Sequence, residues 1–366
     1  MTDTLDIFLV GIPGLEAELA AEAEELAFGP VRAIAGGVEL RGSWQDVWRA
    51  NLMLRGASRV LVRIGSFAAS SLRDLEAGAR RFPWLDFLAA REAVRLDVTC
   101  RKSRVNHAGA AAQKIERALR GAQIFVSPEA AITLKLRIEH DICTVSIDSS
   151  GAPLHKRGHK VAIGKAPLRE TMAALMLRRC SYAAGEPLVD PFCGSGTLPI
   201  EAAEITAGLA PGRARGFAFE RLPSFNAAIW AKITSEVQSD TRRLARVLGS
   251  DRDARSIDNA RKNAKRAGVA CSFECHPVST LTRPLEEPGL VICNPPYGTR
   301  IGNPRTLLAL YATLGERLRA DFSGWRAAVL TSERPLAQAT GLPFLETGAP
   351  IAHGGLKVWL FRTGPL

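Results

Sequence analysis

Polar and apolar positions follow two different spacings through the first part of the chain, and each spacing predicts one kind of element. Residues 6–10 alternate as in a half-buried strand, whereas Leu15, Leu19 and Ala23 recur at helical intervals after Pro13-Gly14. The same two spacings continue as follows: a strand pair over 31–40, a helix over 45–54, a strand over 59–66, helices over 74–82 and 84–90, a strand over 94–99, a helix over 108–119, and strands over 132–139 and 142–148. Helices and strands mixed in this order predict an α+β fold.

From residue 168 onward, short apolar strands alternate with helical segments, which is typical of a doubly wound, mainly parallel sheet. One strand is predicted over 188–190, and another over 247–251 ends in Asp251. In an ordinary dinucleotide fold the acidic residue follows the glycine turn by about 20 residues. The longer gap here indicates an insertion, which we place at 206–241. Small residues with Gly and Pro over 149–153 mark the boundary between the two parts.

The sequence Asn294-Pro295-Pro296-Tyr297 directly follows an apolar run and suits a substrate with a flat amino group. An amine on a conjugated ring is a poor nucleophile because its lone pair is delocalised, and two acceptors on its N–H bonds turn that lone pair toward an electrophile. The Asn294 side-chain oxygen and the Pro295 carbonyl supply two acceptors, the prolines hold them rigid, and Tyr297 offers a stacking face. Asn-Pro is also ordinary turn chemistry, so a strand-ending turn is the alternative.

A second motif places glycines between a strand and a helix. Gly194 and Gly196 allow backbone N–H groups to approach a ligand at the N-terminus of the helix. The third glycine of a dinucleotide fingerprint is missing, and no Gly-Lys-Ser/Thr follows as in a phosphate-binding loop. The carboxylate of Asp251, at the end of the next strand, suits the two hydroxyls of a ribose.

Taken together, these motifs resemble the class I S-adenosylmethionine-dependent methyltransferases, and most closely the RNA guanine-N2 methyltransferases that carry a THUMP domain. The resemblance runs from about residue 30 to the end, and five motifs in the expected order make it specific. The five motifs are LHKRG at 154–158, APLRE at 166–170, DPFCGSGT at 190–197, GSD at 249–251 and NPPYG at 294–298. Two further family-like sequences are APG at 210–212 and GWRAAVLTS at 324–332.

The resemblance implies a Rossmann-like methyltransferase domain over 167–366, preceded by a ferredoxin-like domain over 1–60, a THUMP RNA-binding domain over 61–150 and a basic linker over 151–166. It implies S-adenosylmethionine as the cofactor and a flipped guanosine of large-subunit rRNA or of tRNA as the substrate, stacked on Tyr297 and held by Asn294 and the Pro295 carbonyl. The cofactor-binding residues that it implies are Arg169, Glu170, Asp190, Phe192, Gly194, Ser195, Gly196, Asp251 and Arg252. On the same resemblance, Lys102 and Ser103 face the RNA.

One position departs from the family pattern. The family usually places an Asp after the strand at 270–274 to accept a hydrogen bond from the adenine amine of the cofactor, and here Pro277 stands at that place. Proline has no side-chain acceptor, so Ser279 or a backbone carbonyl must replace the contact or it is lost. A lost hydrogen bond costs about 0.5–1.5 kcal/mol, which weakens cofactor binding without abolishing it.

The net charge of +11 is unevenly distributed, because residues 1–30 carry seven acids and no Lys or Arg. Basic residues concentrate at 101–104 and in the linker, where Lys156, Arg157, His159 and Lys160 occur without an acid. Clustered positive charge binds phosphate and releases counterions, so we expect these linker residues to contact RNA. The alternative is a solvated basic face.

Several classes of protein are disfavoured by composition. No apolar run reaches the roughly 18 residues of a membrane span, and the first residues lack the features of a signal peptide. Seven cysteines with no C-x-x-C pair favour reduced thiols over disulfides or a metal site, and therefore a cytoplasmic protein.

Three functions stay open on the residues. The first is an RNA guanine-N2 methyltransferase, and the second is a protein-glutamine methyltransferase, since the same four-residue grip suits adenine N6, cytosine N4, guanine N2 or a glutamine amide. The third is an RNA-binding or ribosome-assembly factor with a degenerate cofactor site, for which Pro277 is the supporting feature. The basic linker and the long α+β region favour the first.

Overall fold

The computed structural model describes residues 4–160, 168–237, 239, 246–298 and 304–366. It divides into two compact units. The first comprises Met1–Gly11, Leu19–Leu154 and Arg215–Glu236, and the second comprises Ile12–Glu18, His155–Ala214 and Val237–Leu366. None of the described helices is long and apolar enough to cross a lipid bilayer.

The first unit is built on one eight-stranded sheet among its described residues, with the order β2-β3-β1-β4-β8-β7-β5-β6. Its strands are β1 (Leu5–Val10), β2 (Val31–Ile34), β3 (Gly37–Gly42), β4 (Arg59–Ala68), β5 (Ala93–Arg101), β6 (Phe125–Val126), β7 (Ile132–Glu139) and β8 (Ile142–Asp148). The helices that accompany them are α1 (Glu16–Glu25), which belongs to this unit from Leu19 onward, α2 (Trp44–Met53), α3 (Leu72–Arg81) and α4 (Ala108–Gly121).

The boundary expected at residue 60 falls inside β4 and does not divide the sheet. Val60 pairs with Leu9 of β1, and Leu61 pairs with Asp148 of β8. Because β4 is hydrogen-bonded on both sides, the regions 1–60 and 61–150 share a central strand. Both regions lie in the first unit, and their division into a ferredoxin-like domain over 1–60 and a THUMP domain over 61–150 stays a prediction.

The helix expected over 84–90 is wrong, since the structure has only a short 3-10 turn at Trp84–Asp86. Trp84 and Leu88 are buried at helical spacing, which explains the expectation. The Trp84 ring instead packs 4.5 Å from that of Phe82, and its Nε1 donates to the Ala79 carbonyl at 2.7 Å. Arg91 then takes a positive φ of 65°, which turns the chain toward β5.

Most of the insertion predicted over 206–241 belongs to the first unit. Its segment Arg215–Glu236 packs Phe219 against Trp48, with ring centroids 6.0 Å apart, and contains helix α7 (Ala227–Ser235). Arg215 donates to the backbone carbonyls of Ser150, Ala152 and Pro153. Residues 238 and 240–241 lie outside the described part of the chain.

The second unit confirms the doubly wound, mainly parallel sheet. Its order across the described residues is β11-β10-β9-β12-β13-β15-β14, and the strands from β11 to β13 pair in parallel, whereas β15 pairs antiparallel with both of its neighbours. The strands are β9 (Leu188–Asp190), β10 (Val247–Asp251), β11 (Ser272–Cys275), β12 (Leu290–Cys293), β13 (Arg326–Thr331), β14 (Ile351–His353) and β15 (Leu356–Pro365). The helices are α5 (Glu170–Arg179), α6 (Thr197–Thr206), α8 (Ala254–Ala267), α9 (Pro304–Asp321) and α10 (Arg334–Ala339).

This topology brings distant parts of the sequence to one edge of the sheet. The chain runs from β9 outward to β10 and β11 and then returns to β12 on the other side of β9. Ligands of open α/β sheets bind at the carboxyl ends of the strands, where the strand order reverses. The residues that follow β9, β10, β12 and β13 therefore line the expected ligand edge.

Candidate active site

The glycine turn after β9 leaves one side open for a ligand. Gly194 and Gly196 both have positive φ, 52° and 86°, which favours glycine at each position. A Cβ on Gly196 would lie 3.1 Å from the Ala260 Cβ, so this glycine is needed for packing against α8. A Cβ on Gly194 would have no described atom within 4 Å. Gly194 therefore borders free space at the N-terminal end of α6, where backbone N–H groups attract polar or anionic ligand atoms.

Asp190 holds the turn from inside the fold. Its side chain is buried, and its Oδ1 accepts the Phe192 N–H at 3.0 Å. Burial raises the pKa of Asp190 well above its usual value, the nearby charge of Asp251 raises it further, and the hydrogen bond from Phe192 opposes both effects. The Phe192 ring packs against the core beside β12.

Asp251 connects the end of β10 to the glycine turn. Its Oδ2 accepts the Gly194 N–H at 3.1 Å, and its Oδ1 accepts the Asp253 N–H at 2.9 Å. A carboxylate can accept about four hydrogen bonds. The two contacts therefore orient the group and leave acceptor capacity for a pair of ligand hydroxyls.

The Asn294 side chain presents an acceptor that the protein itself does not use. Its Oδ1 is buried, and none of the described residues places a hydrogen-bond donor within reach of it. An unpartnered buried carbonyl costs free energy, and such groups in native proteins call for an explanation. A ligand N–H at this position would satisfy the oxygen.

Two contacts hold the loop that follows Asn294. The Tyr311 hydroxyl donates to the Pro296 carbonyl at 3.3 Å, and the Gly298 N–H donates to Glu333 Oε1 at 3.0 Å. Tyr297 is half-buried against the core, and burial raises its pKa to about 12, so its ring is a neutral phenol at physiological pH. Tyr311, Glu333 and their contacts were not found from the sequence. The position of Glu333 two residues after β13, at the same edge as Asn294, is the signal that could have identified it.

The predicted cofactor-binding residues Arg169 and Glu170 lie at the start of α5 and differ in their exposure to solvent. Arg169 is exposed, whereas Glu170 is buried and its Oε1 lies 3.1 Å from Lys160 Nζ. Lys160 also donates to Thr197 Oγ1 at 2.8 Å, so a single ammonium connects the starts of α5 and α6. Ser195 is fixed nearby, because Asn263 of α8 donates to its carbonyl at 3.1 Å. These contacts fix the residues on the C-terminal side of the glycine turn.

Two of the four linker residues predicted to contact RNA, Arg157 and His159, are buried in the structure. Arg157 is 2% exposed and lies 3.5 Å from Glu201 Oε1, and His159 is 6% exposed with its Nδ1 3.8 Å from Glu204. Burial lowers the pKa of His159, which therefore favours the neutral ring. Arg157, His159 and Lys160 face carboxylates and hydroxyls of the second unit, where phosphate cannot reach them without opening these contacts. Lys156 is exposed, and residues 161–166 of the linker lie outside the described part of the chain.

Lys102 and Ser103 occupy a tight turn in the first unit. Lys102 is exposed and has a positive φ of 46°. The Ser103 hydroxyl donates to the Arg101 carbonyl at 3.1 Å and accepts the Asp141 N–H at 3.0 Å. Ser103 therefore shapes the turn, and Lys102 presents the charge.

Near the expected adenine position, the backbone of Pro277 already has partners. Its carbonyl accepts the Thr280 N–H at 3.1 Å and the Thr280 hydroxyl at 3.0 Å, in the short turn Val278–Thr280. Ser279 and Arg252 are exposed. Among the described residues, no group of three or more His, Cys, Asp or Glu could hold a metal ion.

The sheet, with its glycine turn beside the switch between β9 and β12, is that of a class I methyltransferase, an enzyme class that uses S-adenosylmethionine. The family model described as RMKL-like methyltransferase domain matches residues 157–346, and the chain belongs to this family. A model described as RlmL ferredoxin-like domain matches residues 6–61, which confirms a ferredoxin-like fold at the start of the chain.

Known proteins resemble the chain along most of its length. It is 36% identical to "Ribosomal RNA large subunit methyltransferase K/L" of Syntrophotalea carbinolica, over 93% of this chain and 51% of the relative. It is 34% identical to the protein of the same name from Methylococcus capsulatus, over 93% of this chain and 49% of the relative. The chain thus spans about half the length of the curated relatives it matches. The crystal structure of SMU.472 complexed with SAH matches with a TM-score of 0.92 and 26% identity, covering 100% of this chain and 99% of that one.

The residues at the open edge fit an adenosylmethionine. Gly194 leaves room for the ligand, Asp251 keeps acceptor capacity for ribose hydroxyls, and the start of α6 offers backbone donors. S-adenosylmethionine, when bound, supplies an electrophilic methyl carbon on a sulfonium sulfur.

Asp251→Ala should weaken S-adenosylmethionine binding by about tenfold to a hundredfold, because hydrogen bonds to a charged group contribute about 1.5–3 kcal/mol. Isothermal titration calorimetry measures the change in Kd. Asp253→Ala is the matched control: Asp253 caps α8 through the N–H groups of Arg255 and Ser256, so its loss costs about 1 kcal/mol of stability and leaves the Kd unchanged. Equal losses in the two variants would assign the effect to the 251–253 turn instead of a ribose contact.

Proposed function

We propose that the chain transfers a methyl group from S-adenosylmethionine to the exocyclic N2 amine of a guanosine in RNA, with large-subunit rRNA favoured over tRNA. The observation that carries this proposal is the buried Asn294 Oδ1 that no described residue satisfies. It lies at the end of β12, and β12 is the neighbour of the strand that carries the glycine turn. A flat amine bound there supplies the missing donor.

The chemistry follows from the two fixed acceptors. Asn294 Oδ1 and the Pro295 carbonyl accept the two N–H bonds of the amine, so its lone pair turns out of the plane of the ring. The nitrogen forms a bond to the methyl carbon as the carbon–sulfur bond breaks, and the amine then loses a proton to water. Positive charge develops on the nitrogen during this step, and Asn294 Oδ1 stabilises it. The half-buried Tyr297 ring offers the stacking face for the flipped base.

RNA as the substrate is supported by the names of the two relatives and by exposed positive charge. The turn at 101–104 carries three exposed cations, Arg101, Lys102 and Arg104. Arg101 and Arg104 lie near Glu139 and Asp141, at 3.9 Å and 3.5 Å, which leaves Lys102 as the strongest candidate for a phosphate contact. A THUMP domain over 61–150 stays a prediction. Since the proposed substrate is ribosomal RNA, we place the activity in the cytoplasm.

The proposal is tested by methyl transfer from S-adenosylmethionine labelled in its methyl group. The purified chain is incubated in parallel with deproteinised large-subunit rRNA, bulk tRNA and a glutamine-containing release factor. We expect label in rRNA. Label confined to the release factor would establish the protein-glutamine methyltransferase, and cofactor-independent RNA binding without any label would establish the assembly factor.

Lys102→Glu and Lys156→Glu, tested singly, should each weaken RNA binding and lower the slope of log K against log salt by about 1, because each phosphate contact releases counterions. Filter binding over a range of salt concentrations measures both effects. Lys262→Glu is the control, since Lys262 is an exposed lysine of α8 already paired with Asp258. A slope that stays the same in one of the two test variants would remove that lysine from the RNA interface.

A further inference from the structure

Glu333 lies beside the Asn294 loop because two parallel strands end next to each other. β12 and β13 pair in register, with Cys293 opposite Val329, so the residues that follow them emerge at the same edge. Glu333 stands at the N-cap of α10, yet its side chain makes no capping bond to that helix. Its Oε1 instead accepts the Gly298 N–H at 3.0 Å, and its own N–H donates to Thr331 Oγ1 at 3.2 Å.

The Glu333 carboxylate has capacity beyond this one contact. The residue is exposed, and within the described ranges no Lys, Arg or His forms a salt bridge with it. The neighbouring Arg334 lies over the Trp359 ring instead, 5.8 Å from its centroid. A carboxylate accepts about four hydrogen bonds, so a negatively charged acceptor is available next to the loop that holds the amine.

The neighbours of an exocyclic amine differ between the bases. In guanine, N2 lies between N1–H, which is a hydrogen-bond donor, and N3, which carries a lone pair. In adenine, N6 is next to N1, and in cytosine N4 is next to N3, and both of these ring nitrogens carry lone pairs. A carboxylate on the Watson–Crick side of the amine therefore attracts guanine through N1–H and repels the other two bases, whereas the Asn-Pro loop alone treats all three amines alike.

We propose that Glu333 selects guanine by accepting the N1–H of the target base while Asn294 holds its N2 amine. This inference rests on the proposed function and adds the contact that distinguishes guanine from adenine and cytosine. The other role open to Glu333 is to hold Gly298 in place. A purely positional role would slow every substrate by the same factor, so the two roles are separable by a ratio of rates.

The position of the methylated guanosine is first mapped in the labelled RNA. The test then uses a short synthetic RNA that spans this position, with that nucleotide either guanosine or 2-aminopurine riboside. 2-Aminopurine keeps the amine at position 2, and this is the only exocyclic amine of the base. Its N1, however, carries a lone pair instead of a hydrogen. For the wild-type chain we expect kcat/KM to favour guanosine by about tenfold or more, as for a contact to one base edge. Glu333→Gln keeps an oxygen for the Gly298 N–H and adds an amide N–H that can donate to the N1 of 2-aminopurine. In this variant the ratio of kcat/KM for guanosine to kcat/KM for 2-aminopurine should fall to about 1 or below.

Glu346→Gln is the matched control, because Glu346 is an exposed glutamate of the same unit with no assigned role, and it should keep the wild-type preference. A Glu333→Gln variant that slows methylation of both RNAs equally would overturn the inference and leave Glu333 as a loop contact. A wild-type chain that methylates both RNAs with the same kcat/KM would also overturn the inference. In both of those outcomes guanosine is still methylated, so the proposed function stands. Failure of the wild-type chain to methylate guanosine in any RNA would instead overturn the proposed function, and the inference with it.

Discussion

Asn294→Ala should lower kcat for methyl transfer by about a hundredfold to a thousandfold, the usual loss when one preorganised polar group at a reacting centre is removed. The physical reason is that in the proposed mechanism Asn294 Oδ1 accepts the amine N–H as positive charge develops on the nitrogen. The same oxygen has no donor among the described residues, so the substitution leaves no partner unsatisfied there. We therefore expect the melting temperature to change little. Single-turnover methylation and thermal denaturation measure the two quantities.

The control for this variant is Asn226→Ala, another Asn truncation at a site without substrate. Asn226 caps α7 in the first unit by accepting the N–H groups of Ala228 and Ile229. Its loss costs about 1 kcal/mol of stability and should leave kcat unchanged. An Asn294→Ala variant with the kcat of Asn226→Ala would remove Asn294 from the mechanism.

Arg157→Met should destabilise the protein by about 3–5 kcal/mol, the usual cost of removing one partner of a buried ion pair. The side chains of Arg157 and Glu201 are each only 1% exposed. Glu201 belongs to α6, the helix that follows the glycine turn, so we expect cofactor affinity to fall with stability. Chemical denaturation, with and without S-adenosylmethionine, measures both effects.

Two variants accompany this experiment. Lys262→Met removes one partner of the exposed pair with Asp258 and should change stability by less than about 0.5 kcal/mol. The double variant Arg157→Met with Glu201→Leu should recover much of the loss, since replacing both partners of a buried ion pair by apolar groups is often neutral or stabilising. A stable Arg157→Met variant that loses RNA affinity would instead restore Arg157 to the RNA interface, as its sequence context suggests.

The residues that face the ligand edge could be predicted from short motifs. Asp251 ends an apolar strand, Asn294 directly follows one, and Gly194 comes four residues after the end of another. Parallel strands bring their carboxyl ends together whatever lies between them in the sequence. The alternation of strands and helices also predicted the order of most elements in both units. A two-residue strand such as β6 is too short to show any periodicity, and it was missed.

The remaining features depend on contacts between distant residues, which spacing does not reveal. Charge counts mark 155–160 as a basic run, but they cannot show that Arg157 meets Glu201, 44 residues away, inside the fold. In the sequence, Tyr311 looks like an ordinary core aromatic of a helix, and only the structure shows that its hydroxyl donates to the Pro296 carbonyl. In the sequence, Glu333 looks like an ordinary helix cap, and only the structure shows that its carboxylate accepts the Gly298 N–H instead of an N–H of its own helix.

The most direct measurement of the central claim is the identity of the methylated nucleoside. RNA treated with the chain and S-adenosylmethionine is digested to nucleosides and analysed by chromatography with mass spectrometry. We expect N2-methylguanosine, in which the methyl group is on the amine that Asn294 holds. A methyl group on a ring nitrogen, a ring carbon or a ribose oxygen would contradict the role of the Asn-Pro-Pro-Tyr loop as a grip for an amine.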